Sequence, residues 1–517
     1  MSLYGIALVS KACKWKYLTL KPLPLMKFYK ISLSIAIRLL YACVVLISYL
    51  PQQALANVGN ILKIYPAPKG AVLSSAFKVS AAGRPVSVYL AKVGAADPAR
   101  RFKAVDDMIH SEQYFDNAAF AYFDMQGSAT VTVTVSQAVI TAKVLPASAG
   151  IKPVINGKSL SFKVSKPQNL TIEVNGETVK SLHLFVNPVD NNAPSPKDPN
   201  VIFFGPGIHE VSRMVVGDNK TIYLAGGAIV RAVIDLKEHY NIEPNVNFRT
   251  YEPTFELRGN HIKIRGRGIL DASACTTHAR SMILIQGNDI SVEGIILLNS
   301  SAWTMPVRQS NNVLINNIKE LGYRANTDGI DIMNSKNVTV QNCFIRTNDD
   351  LIVLKTDAGQ GTLEHVVVKN CVLWNQLANA LSLGFELREN VNDVTFTNCD
   401  IIHDTGRAWC LGIFQTDASW ITNISFSNIR IEEAHQLITI WIGKANESFA
   451  KDLGHIQNLS FTNITAKGSP VPIDITGASS QSRVDNVSFK NVIVNSKPVS
   501  RAQVRSNQFT TNVTVQP

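Results

Sequence analysis

Residues Asn337–Cys343 read NVTVQNC: an Asn, two apolar residues alternating with polar ones, then Asn and Cys. The pattern returns as HVVVKNC (His365–Cys371), DVTFTNC (Asp393–Cys399), NISFSNI (Asn423–Ile429), NLSFTNI (Asn458–Ile464) and NVSFKNV (Asn486–Val492). Looser copies precede it: HIKIRGRG (His261–Gly268), DISVEGI (Asp289–Ile295) and NVLINNI (Asn312–Ile318). With the first apolar residue as marker, the series is Ile262, Ile290, Val313, Val338, Val366, Val394, Ile424, Leu459 and Val487. The intervals are 28, 23, 25, 28, 28, 30, 35 and 28. Period-two alternation makes each copy a short strand, and a unit repeated at this length builds a solenoid or a propeller. A propeller blade needs four strands and about 40 residues, more than these intervals hold. The chain therefore reads as all-β, with a right-handed parallel β-helix whose equivalent residues stack about 4.8 Å apart.

Stacking predicts two further features. Cys343, Cys371 and Cys399, spaced by 28, form an interior column of free thiols. The recurring Asn forms a ladder at a turn, its amides satisfying one another and the backbone. The ladder also accounts for the several N-x-S/T matches without glycosylation. Five cysteines follow residue 56, an odd number at wide spacing with no C-x-x-C pair. That excludes a disulfide framework and a zinc site.

Residues 1–56 hold seven Lys or Arg and no Asp or Glu. A basic stretch at Met26 precedes an apolar run ending in LLYACVVLISYL (Leu39–Leu50) and the small-residue site QQALA. This is the order of a secretory signal, with Met26 as an alternative start. Arg38 breaks the apolar run short of a bilayer span. Without the signal, the net charge of +11 falls by seven to +4, and no basic cluster remains to suggest nucleic acid. The expected product is exported, secreted or periplasmic, without a membrane span after cleavage, and monomeric. Residues 57–188 alternate short apolar runs with Gly, Pro and Asn turns and read as an N-terminal β-sandwich domain. A polar, Pro-rich linker covers 189–199, and the β-helix covers 200–517.

On the repeat, NTDGIDIMNSKNVTVQNCFIRTNDDLIVLK (Asn326–Lys355) carries Asp328, Asp331, Asp349 and Asp350. Asp328 lies 15 residues beyond Val313, and Asp349 and Asp350 lie 11 and 12 beyond Val338. Asp328 should then neighbour the pair across one coil. Carboxylates this crowded do not all ionise independently, so at least one is raised. A raised acid beside an ionised carboxylate is the equipment of glycoside hydrolysis. Two plainer readings compete on spacing alone: turn residues bonding their own backbone, and oxygen ligands for Ca²⁺. The G-G-x-G-x-D repeat of calcium-loaded β-rolls is missing.

This stretch resembles the active-site region of glycoside hydrolase family 28, the polygalacturonases, where NTDG precedes a paired-aspartate motif on the next coil. TIYLAGGAIV (Thr221–Val230) also resembles the opening coil of that pectin-lyase-like superfamily. The resemblance implies inverting hydrolysis without metal or cofactor, with Asp349 as general acid. Asp328 and Asp350 would hold and deprotonate the water, Asn326 would support the turn, and Gly329 would permit close chain passage. Two departures stand out. Asn379, in ANALSLG (Ala378–Gly384), occupies the place of the family's His. CLGIFQTDASW (Cys410–Trp420) lacks the family's Arg and Lys for the substrate carboxylate. Arg324, Lys355, Arg388, Arg407 and Lys444 are the basic residues available to replace them, and Asn326, Asn379, Arg388, Trp409 and Lys355 are the candidate substrate contacts.

The β-sandwich joined to this helix is also similar to family 49 dextranases, which use three aspartates on a neutral α-glucan. Trp374, Phe385, Trp409, Trp420 and Trp441 are candidates to stack on sugar rings, two or three of them facing the cleft. The leading expectation is a polygalacturonase-like hydrolase of a pectic polysaccharide, with a dextranase-like hydrolase as the alternative. A polysaccharide lyase and a non-catalytic carbohydrate-binding β-helix are the other classes.

Overall fold

A computed structural model describes residues 60–97, 115–243, 248–406, 409–446, 448–468 and 472–517. The export segment 1–56 and Arg407 lie outside them. The period-two copies pair in parallel and in the register that the markers predict. Ile290 stands opposite Val313, followed in one row by Val338, Val366, Val394, Ile424, Leu459 and Val487. Among the described residues, 31 strands from Val201–Phe204 to Thr510–Gln516 join in one sheet. It is a right-handed parallel β-helix.

Asparagine makes the corners. Asn337, Asn342, Asn370, Asn398, Asn423, Asn458, Asn463, Asn486 and Asn491 all adopt φ between 52° and 59°. This left-handed region tolerates Asn better than any other residue except Gly, because its short amide bonds locally. The amides then link coil to coil: Asn342 donates to Asn316 (2.9 Å), Asn398 to Asn370 (2.8 Å), Asn491 to Asn463 (2.9 Å). Inside, Cys343, Cys371 and Cys399 are buried and unpaired by disulfides. Phe396, Phe426, Phe461 and Phe489 stack with ring centroids 4.8, 5.0 and 5.0 Å apart, the coil spacing itself.

The described residues of 60–188 form two sheets. One contains Phe77–Ala81, Ala129–Val135 and Ser159–Val164; the other contains Phe115–Gln126, Gln168–Val174 and Glu177–Pro188. Val79, Val131, Phe162, Phe123, Ile172 and Leu184 fill the space between them, which is the build of a β-sandwich. The sandwich meets the helix through buried polar groups. Arg267 donates to Asp124 (2.8 Å), Arg346 bonds His183 (3.0 Å), and His403 bonds Glu173 (2.5 Å). Gly94, at the end of the sandwich strand Val88–Gly94, lies so near Asn348 that an added Cβ would sit 2.8 Å from its Oδ1. The sandwich thus abuts the turn that carries Asp349. Among the described residues, no helix is long and apolar enough to cross a membrane.

Candidate active site

Four stacked strands, Met305–Arg308, Ile330–Met333, Ile352–Thr356 and Leu381–Leu387, form the floor of the site. Their alternation sends Ile330, Ile332, Ile352 and Leu354 into the core. The alternate positions, Asp331 opposite Val353 and Met333 opposite Lys355, belong to the outer face. The aspartates occupy the turns entering these strands. Backbone bonds from Gly329 N to Asp350 O (2.8 Å) and from Leu351 N to Asn379 O (2.9 Å) hold successive turns together. Gly329 is required there, since a Cβ would come within 2.4 Å of the Leu351 carbonyl.

This stacking brings one oxygen from each of Asp328, Asp349 and Asp350 within 4.8 Å of the others. Asp328 and Asp350 are buried, and Asp349 is partly exposed. Asp349 accepts from the backbone N–H of Asp350 (3.0 Å) and of Asn326 (3.2 Å), and Asn326 sits at φ 54° to make that approach. Asp350 accepts from the amide side chain (2.7 Å) and backbone N–H (3.0 Å) of Asn379. Asp328 accepts from the Lys355 ammonium at 2.9 Å.

The three carboxylates differ in environment. Burial, then the charges of Asp328 and Asp350, push the Asp349 carboxyl well above the ordinary carboxylate range. Burial and Asp328 push Asp350 up to about 7, against the pull of Lys355 and Asn379. Burial also raises Asp331 well above its usual value, although Lys355 opposes this. Burial works against the charge of Lys355, but Asp328 and Asp331 outweigh it and hold the ammonium well above its usual range.

The predicted substrate contacts fare differently. Asn379 and Lys355 lie in the site, where they bond Asp350 and Asp328. The Asn326 backbone N–H donates to Asp349 (3.2 Å). Trp409 lies one step further along the stack, with its backbone N–H donating to Asn379 Oδ1 (3.2 Å). Arg388 belongs elsewhere, at the C-terminal edge of the floor. It donates to Asp357 (2.9 Å), approaches Asp417 (3.8 Å) and underlies the Phe449 ring (3.9 Å).

Of the aromatic candidates, Trp374 is buried between the domains beneath Arg346, and Trp420 stacks on His455. Phe385, Trp409 and Trp441 gather around Phe414, at 5.0, 4.1 and 6.5 Å. Phe414 and Trp441 stand opposite each other on adjacent strands, at positions that alternate with core Ile413 and Ile440. Sequence reasoning counted Asp331 among the crowded aspartates without giving it a role, and passed over Trp303 and Glu320. Asp331 Oδ1 lies 2.9 Å from Lys355 Nζ, and Trp303 covers that ammonium at 3.8 Å. Glu320 is buried behind Asp328, and burial pushes its carboxyl up to about 8. The second aspartate of NTDGID was the available signal for the first of these.

Three crowded carboxyl groups on adjacent β-helix turns are equipment for acid/base hydrolysis, and comparison with known proteins places the chain among glycoside hydrolases. Residues 257–514 match the model for Glycosyl hydrolases family 28. The chain is a glycoside hydrolase whose β-helix resembles that family. Among solved structures, Dex49A from Penicillium minioluteum superposes with a TM-score of 0.56 at 13% identity, covering 88% of this chain and 96% of its own. A hyperthermoactive exopolygalacturonase from Thermotoga maritima gives 0.49 at 18% identity, covering 61% and 84%. The family 28 exopolygalacturonase of Yersinia enterocolitica gives 0.49 at 15%, covering 88% and 93%. No curated protein sequence matches the chain.

Proposed function

We propose that the chain is an exported, inverting hydrolase of a neutral polysaccharide, with an α-glucan as the expected polymer. Asp349 gives its proton to the glycosidic oxygen as the bond to the anomeric carbon breaks. A water attacks that carbon from the opposite face and yields its proton to Asp328 or Asp350, so charge and protons balance. The environments fit these roles: Asp349 is among the raised carboxyls, whereas Asp328 faces an ammonium. The inverting outcome comes from the family resemblance. Oxygens within 4.8 Å fall below the roughly 6.5–9.5 Å usual for an inverting pair.

The observation that carries a neutral substrate is the engagement of every described replacement cation. Lys355 is held by Asp328 and Asp331, and Arg388 by Asp357. Arg324 is buried against the carbonyls of Asn299 (2.7 Å) and Cys275 (3.0 Å), and Lys444 bonds the Ala450 carbonyl. A galacturonate carboxylate entering beside four aspartates would meet repulsion, whereas a neutral ring can stack on the Phe385–Trp409–Trp441 group. These observations, with the likeness to family 49 dextranases, favour a glucan over the pectic polymer expected first. A polymeric substrate also suits export through residues 1–56. Proton NMR of the first products tests the mechanism: the anomer opposite to the scissile bond is expected, and retention would refute it.

A further inference from the structure

Four acidic groups and one cation share the site, and the position of that cation is specific. Lys355 Nζ lies 2.9 Å from Asp328 Oδ2 and 2.9 Å from Asp331 Oδ1, with all three side chains at most 5% exposed. The Trp303 ring closes over it at 3.8 Å. Among the described residues, the Asp331 carboxylate has no hydrogen-bond donor, leaving the ammonium as its partner. Asp349 is not bonded to the ammonium; it is held by two backbone N–H groups. Asp350 is held by the neutral amide of Asn379. The cation thus stands on one side of the triad, against Asp328, and Asp331 and Trp303 keep it there.

We propose that Lys355, anchored by Asp331 and covered by Trp303, is a positioning residue that fixes which aspartate carries the proton of the triad. Its charge compensates the buried Asp328 carboxylate, which would otherwise lack a counter-ion. An ionised Asp328 in turn keeps the shared proton on Asp349. This rests on the hydrolase reading above and adds a residue to it. The same anchoring explains why Lys355 does not serve as a clamp for a substrate carboxylate. The charged groups around this cluster are Asp350 and Glu386, which also act on Lys355, and Glu320, which lies behind Asp328.

The test compares Lys355→Met and Lys355→Arg with the parent. An opposite charge at this distance shifts a carboxylate by about one to three units. Lys355→Met should therefore move the acidic limb of the kcat/KM profile upward by at least about one pH unit. Below that limb the rate falls about tenfold or more, with KM little changed. Lys355→Arg, which keeps the charge, should keep the limb near its original position. If Lys355→Met does not fold, Lys355→Met with Asp331→Asn also removes the carboxylate stranded at position 331 and, with Asp328 still uncompensated, should show the same displaced limb.

A second readout does not need activity. Infrared titration of the free protein should show one more protonated carboxyl in the Lys355→Met protein than in the parent, just below the displaced limb. An unmoved limb with raised KM would make Lys355 a substrate contact and overturn the proposal, as would an unchanged carboxyl titration. If the parent cleaves no polysaccharide, the hydrolase reading fails, and the infrared titration still decides the role of Lys355.

Discussion

Replacing Asp350 by Asn should make this enzyme more stable while it loses function. The Asp350 carboxyl sits at about 7 in the folded protein, raised mainly by burial and by Asp328, against about 3.9 in an unfolded chain. Below the unfolded value both states are protonated and the residue is neutral toward folding. As pH rises from there to about 7, only the unfolded chain releases its proton, so folding becomes progressively less favourable. Three units at about 1.4 kcal/mol each give a cost of roughly 4 kcal/mol above neutral pH. Asp350→Asn removes that cost. The two Asn379 donors, at 2.7 and 3.0 Å from Oδ1, still find an amide oxygen in its place.

For the unit Gly59–Pro517, the unfolding entropy is roughly 1 kcal/mol per kelvin, so the gain is about 4 °C in Tm near pH 8. It should shrink to nothing near pH 4. The assay is the Tm of parent and variant across that range. A difference that is flat with pH, or a destabilised variant at pH 8, would refute the reasoning that the site holds a carboxyl against its solvation.

Two further outcomes follow from the same geometry. Asp349→Asn should lower the rate by about 10² to 10⁴-fold, the usual worth of general acid catalysis, without loss of Tm; a fully active variant would return Asp349 to the role of a turn residue. His403 lies between Glu173 of the sandwich and Glu433 (2.5 Å each); burial pulls its pKa down, but the two carboxylates outweigh this and raise it. Its contribution is fully present below about pH 6.5 and is lost as pH rises through the higher folded value. His403→Gln should therefore lower Tm most in acid, and a difference that grows with pH would contradict the assignment.

The repeat was legible because a solenoid forces sequence period and spatial register to coincide. The row from Ile290 to Val487 follows directly from counting. The meeting of Asp328 with Asp349 and Asp350 was legible for the same reason. The partners of polar side chains were not. Asn379, Lys355 and Arg388 read as free groups facing a ligand, yet each bonds a carboxylate one coil away. Nothing in a linear sequence distinguishes a cation that awaits substrate from one already held. Trp374 shows the same limit from the apolar side. Its place between His403 and Arg346 depends on a sandwich whose docking the repeat does not encode.

The neutral-substrate proposal has a direct test. Reducing ends released by the parent from a soluble α-glucan and from polygalacturonate, measured side by side with Asp349→Asn as the blank, test it directly. Release from the glucan is expected, and none above the blank from polygalacturonate. Release from polygalacturonate alone would contradict it, because it would mean that a carboxylated sugar binds among four aspartates with every described replacement cation already paired.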